Sequence, residues 1–190
     1  AGLRHNSACH TLLANWDHPI MEVMELGQGM DLNVGLDHVA AGRCMATHLT
    51  DKGYRHIVYV GARLAQDYRA SMRFDGHKAV LKEKGVDAPL LELDTLGSLQ
   101  AGAEGLAQVL EQYPHTQAIH FANDDLAAGA LLAAQRQGLN VPGDIAIAGF
   151  NGLPLGQHVT PQLTTILSPR EEMGRLAAKE LIRRLSGKNV

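Results

Sequence analysis

Short apolar runs alternate with longer amphipathic segments along the chain from residue 56 onward. The repeat is about 30 residues, the usual length of a βαβ unit. The apolar runs occupy residues 56–61, 89–93, 118–122, 145–150 and 163–167. They are nearly continuous rather than alternating, which is typical of strands covered by helices on both faces of a parallel sheet. The pattern therefore predicts an α/β fold in which a parallel sheet is flanked by helices.

The segments between these runs carry apolar residues at helical spacing. Apolar stripes recur over residues 99–110, 126–134 and 173–185, and each stripe predicts a helix with one buried face. A glycine or a proline follows the first two stripes, where it would end the helix. Helices and strands therefore alternate through the second half of the chain.

The first 55 residues follow a different pattern. Helices are predicted over residues 7–16 and 39–52, and extended segments over residues 19–26 and 31–38. Two extended segments are too few for an independent α/β lobe. We therefore expect this part to complete a sheet whose first strands lie upstream of residue 1.

Composition narrows the class of protein. With 45% apolar residues, a chain of 190 residues can bury a core and form one domain or two small lobes. No apolar run approaches the roughly 18 residues that a membrane helix needs, so no membrane contact is expected. The net charge is −3, so this stretch by itself is not expected to bind nucleic acid. Cys9 and Cys44 fall on separate predicted helices and suit buried thiols of a reducing cytoplasm.

Signatures of catalysis and of cofactors are missing from the sequence. There is no GxGxxG, Walker or GxSxG motif, and no nucleophile, base and acid can be assembled from spacing. The ten histidines include no HExxH motif, and two candidate pairs are expected to face solvent rather than to bind a metal. These pairs are His5 with His10 and His115 with His120. We expect neither enzymatic activity nor a cofactor or metal.

Candidate binding residues lie just after the apolar runs, because ligands of a parallel sheet bind beyond the carboxyl ends of its strands. Arg69 and Arg73 follow the first run and share a helix face, with a solvated basic edge as the alternative. Asn123 and Asp124 follow the third run, where capping of the next helix is the alternative. Asn151 follows the fourth run, where a local turn would explain it equally well.

The stretch LTTILSPREEMG, residues 163–174, contains a cation at an unfavourable place. Ser168, Pro169 and Glu171 predict a capping box at the start of a helix. Arg170 then faces the positive end of the helix dipole, at a cost of roughly 0.3 to 1 kcal/mol. A surface arginine held by the neighbouring glutamates is the alternative, but its unfavourable position favours a role in binding an anion.

Four stretches in fixed order resemble the effector-binding region of bacterial transcription regulators of the lactose-repressor and galactose-repressor (LacI/GalR) family. They are VGLDHVAAGRCMATHLTDKGYRHIVYVGA, SMRFDGHKAVL, FANDDLAAGALLAAQRQGLNVPGDIAIAGFN and TPQLTTILSPREEMGRLAAKELIRRL. Together they span residues 35–187 almost without a break. The resemblance implies a two-lobed fold like that of periplasmic sugar-binding proteins, with an incomplete N-terminal lobe in this chain.

The resemblance also implies lobe boundaries. Residues 1–54 and 168–190 would belong to the N-terminal lobe and residues 55–167 to the C-terminal lobe. The chain would cross between them near residues 55 and 167. The DNA-binding headpiece that precedes this region in the family is absent from the sequence.

Ligand-binding positions of the family match residues of this chain one by one. Arg73 matches the family's ligand-binding arginine, and Arg69 matches a nearby pocket position. Asn123 and Asp124 match its (N/G)D pair, and Asn151 matches the aspartate of its GFD or GYD motif. These five residues are therefore expected to bind the effector.

Three positions point to an acidic effector. Gly97 stands where the family often has an aromatic residue that stacks on the ligand, so a ring sugar is disfavoured. Asn151 replaces a carboxylate, which reduces repulsion of an anion, and Arg170 would lie at the hinge as a bidentate partner for a carboxylate. The SPRE junction and the VGAR turn are similar to those of gluconate-utilisation repressors. Gluconate or a related sugar acid is therefore the expected effector.

The resemblance implies the effector-binding and dimerisation region of a cytoplasmic repressor. The effector would bind between the lobes of a homodimer and control allosterically how the headpieces bind operator DNA. A periplasmic sugar-binding protein of a transporter shares the fold and is the main alternative. An α/β enzyme that uses a nucleotide is a weaker one, because the sequence has no phosphate-binding loop.

Overall fold

A computed structural model describes residues 3–187, which form seven helices and seven strands. The elements are α1 (Ser7–Ala14), β1 (Met21–Glu25), β2 (Leu32–Leu36), α2 (His38–Asp51), β3 (Ile57–Ala62), α3 (Tyr68–Glu83), β4 (Leu90–Leu93), α4 (Leu99–Gln112), β5 (Ala118–Phe121), α5 (Asp124–Arg136), β6 (Ala146–Asn151), α6 (Pro154–His158), β7 (Thr164–Leu167) and α7 (Arg170–Leu185). The five strands predicted after residue 56 are all present, and their ends agree with the apolar runs to within one residue. The short helix α6 was not predicted. No helix in this range is long and apolar enough to cross a membrane.

The chain divides into two compact units. The first unit comprises residues up to Asp37 and from Pro169 onward, and the second unit comprises His38–Ser168. The sequence predicted crossings near residues 55 and 167, so the two divisions differ mainly in the place of α2. In the structure α2 belongs to the second unit because it packs along α3 and also contacts β5 and β7.

A five-stranded parallel sheet forms the centre of the second unit. Its strand order is β4-β3-β5-β6-β7, which confirms the predicted α/β fold with a parallel sheet. Neighbouring residues of β3 face opposite sides of the sheet, with Ile57 packed among side chains of α2 and α3 and Val58 among those of α4 and α5. Because both faces are covered, the strands are apolar at nearly every position, as the sequence showed.

The first unit contains the parallel pair β1 and β2 with the helices α1 and α7. The two strands pair from Met21 opposite Leu32 to Glu25 opposite Leu36. Helix α7 packs against both strands through one face, on which Met173 and Ala177 are buried. The opposite face of α7 carries charged residues, as expected for an amphipathic surface helix.

Helices α2 and α3 approach each other closely through two glycines. A side-chain carbon at Gly42 would overlap the backbone carbonyl of Arg73, and one at Gly76 would overlap the backbone carbonyl of Val39. Backbone atoms in the middle of a helix cannot rotate aside as a side chain can, so only glycine fits at these places. This contact fixes the position of α3, and with it that of Arg73.

Replacing Gly42 by alanine is expected to destabilise the second unit by about 1 to 3 kcal/mol, the usual effect of overpacking. Gly174→Ala on α7 is the control, because no heavy atom lies within 4 Å of an added carbon there. Alanine at that place should instead stabilise the helix by about 0.5 to 1 kcal/mol. Thermal unfolding of both variants measures the difference, and equal melting temperatures would contradict the close contact.

Two expectations about burial are wrong. Cys44 is exposed and Cys9 is only partly buried, so neither is a core thiol. His120 and His5 do not face solvent, because His120 is covered within β5 and the side chain of His5 is only 7% exposed beside Glu22. Within residues 3–187, no cluster of histidine, cysteine and acidic side chains is arranged to hold a metal ion.

Candidate ligand-binding site

A cavity of about 310 Å³ lies at the carboxyl ends of β3, β4 and β5. It is lined by Ala62, Arg63, Gln66, Asp67, Tyr68, Arg69, Leu96, Gly97, Ala122 and Asn123. The chain runs from β3 to β4 on one side and then passes over to β5 on the other, so the strand order reverses at β3. Ligands of open α/β sheets bind at such reversal points, beyond the carboxyl ends of the strands.

A larger cavity, of about 590 Å³, lies at the opposite ends of the same strands. Its walls include Arg55, Tyr113 and His115, from segments that precede β3 or follow α4. Size alone would favour this cavity, but the amino ends of parallel strands are not where ligands of this fold class bind. We therefore take the smaller cavity as the candidate site.

Asn123 both caps helix α5 and lines the cavity. Its side-chain Oδ1 accepts a hydrogen bond from the backbone N–H of Leu126 at 3.0 Å, so the capping role is confirmed. Its Nδ2 lies beside Gly97, since a carbon added at Gly97 would be 3.0 Å from that nitrogen. The amide oxygen of Asn123 therefore caps the helix, and the amide nitrogen lies at the cavity wall.

The two predicted arginines of α3 have different surroundings. Arg69 is half-buried and lines the cavity, as the capped first turn of α3 places it near the ends of the strands. Arg73 is 4% exposed and lies one turn further along the helix. Its guanidinium donates from one terminal nitrogen to the carbonyl of Ala122 at 3.0 Å and is centred 4.0 Å from the ring of Phe150.

A histidine completes the surroundings of Arg73. The other terminal nitrogen of Arg73 lies 2.9 Å from Nδ1 of His38, the first residue of α2. A guanidinium only donates, so Nδ1 of His38 accepts and the ring carries its proton on Nε2. The imidazole of His38 and the carbonyl of Ala122, which accept hydrogen bonds from Arg73, are therefore both electrically neutral.

The charge of Arg73 is desolvated and forms no ion pair among the described residues, although the carboxylate of Asp67 acts on it from a longer distance. No carboxylate forms an ion pair with Arg73 within residues 3–187, and its buried Nε has no hydrogen-bond partner there. Burial lowers the pKa of Arg73, because removal from water disfavours the charged form. Arginine nevertheless stays protonated in proteins, so a positive charge is held at this end of the sheet.

Asp124 is bound on both of its carboxylate oxygens. Oδ2 accepts the backbone N–H of Leu153 at 2.7 Å, and Oδ1 accepts the hydroxyl of Thr165 at 2.6 Å. The carboxylate thus ties the start of α5 to the segment before α6 and to β7. In this structure Asp124 holds the loops together, and its predicted part in effector binding stays a prediction.

Asn151 ends β6 in a backbone conformation that few residues adopt. Its φ angle is 128°, where side chains other than glycine are strained by roughly 1 to 3 kcal/mol. Its backbone carbonyl accepts the N–H of Ser168 at 3.2 Å, which continues the pairing of β6 with β7. Such strain in a loop at the ligand end of a sheet is typical of functional positions.

The capping box predicted at residues 168–171 is wrong. Helix α7 begins at Arg170, Pro169 is the N-cap, and no side chain caps the helix. Because the helix begins at Arg170, Ser168 lies one residue before the cap position, and its buried hydroxyl has no partner in the described range. Arg170 is exposed in the first turn of α7 and belongs to the first unit.

The structure brings five of the six predicted residues to one end of the second unit. Arg69 and Asn123 line the cavity itself, whereas Arg73, Asp124 and Asn151 lie at the same edge of the sheet outside its lining. Two further residues were missed. They are His38 and Phe150, the partners of Arg73. His38 could have been found, because it follows β2 as directly as Asn123 follows β5.

Comparison with known proteins places the chain in a family. The family described as "Periplasmic binding protein-like domain" matches residues 46–190. The "HTH-type transcriptional regulator GntR" of Escherichia coli is 38% identical over 173 residues, which are 90% of this chain and 52% of the relative. The chain thus spans about half the length of this curated relative.

Solved structures agree with the sequence comparison. The "transcription regulator GntR from Chromobacterium violaceum" superposes with a TM-score of 0.93 at 35% identity, over 99% of this chain and 69% of that one. A LacI-family transcriptional regulator from Silicibacter pomeroyi gives a TM-score of 0.91 at 36% identity, over 97% of this chain and 56% of that one. The chain belongs to the LacI family. Its LacI-family relatives are transcriptional regulators, so neither a transporter component nor an enzyme is favoured.

Proposed function

We propose that the chain is the effector-binding and dimerisation region of a bacterial repressor that senses a sugar acid of the gluconate type. The repressor would act in the cytoplasm as a homodimer, and a headpiece outside this sequence would bind operator DNA. The proposal rests mainly on Arg73, a buried cation that forms no ion pair in the described residues and whose Nε has no hydrogen-bond partner there. The regulators named GntR among its relatives support it.

A carboxylate ligand suits the charges at the ligand end of the sheet. Arg73 is held by a carbonyl, a neutral imidazole and an aromatic ring, none of which cancels its charge. The cavity wall adds two cations, Arg63 and Arg69, and one carboxylate, Asp67, which caps α3 through the N–H of Ala70. Hydrogen bonds between guanidinium groups and carboxylates are stronger than those between neutral groups and can be bidentate. An anion would therefore gain more here than a neutral sugar.

The remaining lining suits a polar, open-chain ligand. Tyr68 is the one aromatic residue among those that line the cavity, and Gly97 leaves room beside the amide of Asn123. Stacking on a flat ring would have little support, whereas amide groups can exchange hydrogen bonds with hydroxyls. We assign to Asn123 and Asn151 the recognition of ligand hydroxyls, and to Arg170, at the positive end of α7, further contact with the carboxylate.

Effector binding would control DNA binding by shifting a conformational equilibrium. A ligand that binds one arrangement of the two lobes more tightly increases its population, and a coupling of about 1 to 3 kcal/mol is usual. Such control requires no chemical change in the ligand. This agrees with the regulatory names of the relatives and with the absence of catalytic motifs from the sequence.

Calorimetric titration of the full-length protein with gluconate and with glucose tests the proposal. Gluconate is an open-chain carboxylate, whereas glucose is an uncharged ring, so the two ligands differ in both properties that the site is proposed to select. A preference for gluconate of at least about tenfold is expected, because one charge-assisted contact alone would supply it. Arg170→Leu should weaken gluconate binding, whereas Arg175→Leu, on the same helix and paired with Glu172, should not. No gluconate binding at millimolar concentration, or equal binding of glucose, would contradict the sugar-acid assignment.

A further inference from the structure

A cysteine, a histidine and a glutamate form a connected chain in the first unit. Sγ of Cys9 lies 3.7 Å from Nδ1 of His5, and Nε2 of His5 lies 2.5 Å from Oε1 of Glu22. The three side chains come from α1, from the segment before it and from β1. The proposed effector site uses none of them.

Glu22 fixes the direction of the histidine. It is 2% exposed, and its second oxygen accepts the backbone N–H of Met30 at 2.5 Å. A buried carboxylate needs donors, so Nε2 of His5 carries a proton and donates to Oε1. The basic position of the imidazole is then Nδ1, which faces the thiol of Cys9.

The geometry fits a proton relay better than a metal site. The two ring nitrogens of His5 point to different partners, so the sulfur and the carboxylate do not converge on one point. A thiol, an imidazole and a carboxylate in this order form the activating set of cysteine nucleophiles. Cys9 is also the third residue of α1, and its N–H is capped by Oδ1 of Asn6 at 2.8 Å. Cys9 therefore lies in the first turn, at the positive end of the helix.

We propose that Cys9 is an oxidation site of this protein, a nucleophilic thiol activated by His5 and Glu22 that reacts with hydrogen peroxide. Nδ1 of His5 takes the thiol proton, and Glu22 stabilises the imidazolium that forms. The thiolate attacks one peroxide oxygen, so that the S–O bond forms as the O–O bond breaks. The departing hydroxide takes the proton from His5 and leaves as water. Sulfur is oxidised by two electrons to a sulfenic acid, and the peroxide is reduced.

Cys44 provides an internal control for this reaction. It is the other cysteine of the sequence, it is exposed on α2, and no hydrogen bond of its thiol is found in the described residues. Exposure alone would make Cys44 the more reactive thiol, because Cys9 is partly buried. Faster reaction at Cys9 would therefore report activation rather than access.

The experiment is treatment of the full-length protein with hydrogen peroxide in the presence of dimedone, followed by mass spectrometry of the two cysteine peptides. Cys9 should be labelled on the order of 10²-fold faster than Cys44, the lower end of what a positioned base contributes. Equal labelling of the two thiols, or faster labelling of Cys44, would overturn the proposal. This comparison needs no variant and so does not depend on the folding of one.

Two substitutions locate the base. His5→Gln keeps an amide N–H at the position of Nε2 for Glu22 but removes Nδ1, so labelling of Cys9 should fall to the rate of Cys44. His10→Gln, an exposed histidine next to Cys9 in the sequence, should leave the rate unchanged. A melting temperature within a few degrees of the parent protein shows that the variant is folded. Undiminished labelling of Cys9 in folded His5→Gln would overturn the relay.

Discussion

Acidification from pH 7 to pH 4 is expected to destabilise the second unit by about 3 kcal/mol through His77 alone. Burial lowers the pKa of His77 from 6.5 to about 4, because its side chain on α3 is enclosed and cannot be hydrated when charged. In the unfolded chain the same ring takes up a proton near pH 6.5. This loss is a large part of the free energy of unfolding of a typical domain, which is about 5 to 15 kcal/mol.

The sign follows from the direction of the pKa shift. Between pH 6.5 and about 4 the unfolded chain binds more protons than the folded one, so the free energy of unfolding falls as the pH falls. Above pH 6.5 this contribution is fully present. His120, whose Nδ1 lies 3.1 Å from Nδ1 of His77, adds to the effect. Its pKa is also lowered, by burial and then by the charges of His77 and Arg73.

Denaturant unfolding between pH 7 and pH 4 measures this loss. His77→Phe fills the space beside Tyr59 and Phe74 with another ring. It should remove the roughly 3 kcal/mol that His77 contributes to the loss and leave the part that comes from His120. His115→Phe, at an exposed position, is the matched control and should keep the loss of the parent protein. If the free energy of unfolding of His77→Phe depends on pH as strongly as that of the parent protein, His77 is not a source of the acid destabilisation.

Replacing Arg73 by methionine is expected to weaken binding of the proposed sugar-acid effector about 30-fold or more, the effect of removing one partner of a buried charge pair. The net change in the free energy of unfolding should be small, because two opposing effects of a few kcal/mol each largely cancel. Methionine leaves the carbonyl of Ala122 and Nδ1 of His38 without their donor, at about 1 to 3 kcal/mol each. It also removes a buried charge that forms no ion pair within residues 3–187. The folded protein then no longer bears the cost of desolvating that charge, which stabilises it by several kcal/mol.

Titration calorimetry and thermal unfolding of the same samples separate the two effects. Arg73→Lys is informative because it keeps the charge but cannot form two parallel hydrogen bonds, so its affinity should be intermediate. Arg55→Met is the control, since Arg55 lies by the larger cavity at the opposite ends of the strands and donates to Thr50 and Tyr54. Unchanged effector affinity in Arg73→Met would exclude Arg73 from the site.

The sheet could be predicted from the sequence because burial on both faces leaves a local signal. The runs at residues 56–61 and 145–150 are apolar at almost every position, and their ends lie close to those of β3 and β6. The boundary between the two units is not marked by any local pattern in the sequence. It depends on the packing of α2 against α3, which brings together residues far apart in the chain.

The candidate site could be predicted in part. The rule that ligands bind after parallel strands found Arg69 and Asn123, which line one cavity. Helical spacing could not show that Arg73 would be buried over Phe150, because that depends on the neighbouring strand β6. His120 stands in the middle of an apolar run, but a histidine is buried there only because His77 of α3 lies 3.1 Å from its Nδ1, a contact that the local sequence does not show.

Asn123 and Asp124 divide between them two tasks that often conflict in binding proteins, namely presenting a side chain to the cavity and holding the surrounding loops. Asp124 uses both oxygens to hold the loops, whereas Asn123 places its amide nitrogen at the cavity wall. In the proposed site, a new side chain at residue 123 would change ligand preference at the cost of one helix cap, about 1 kcal/mol. A change at residue 124 would instead loosen two loops at once. The same scaffold could thus acquire new specificities through residue 123 during evolution without losing its architecture.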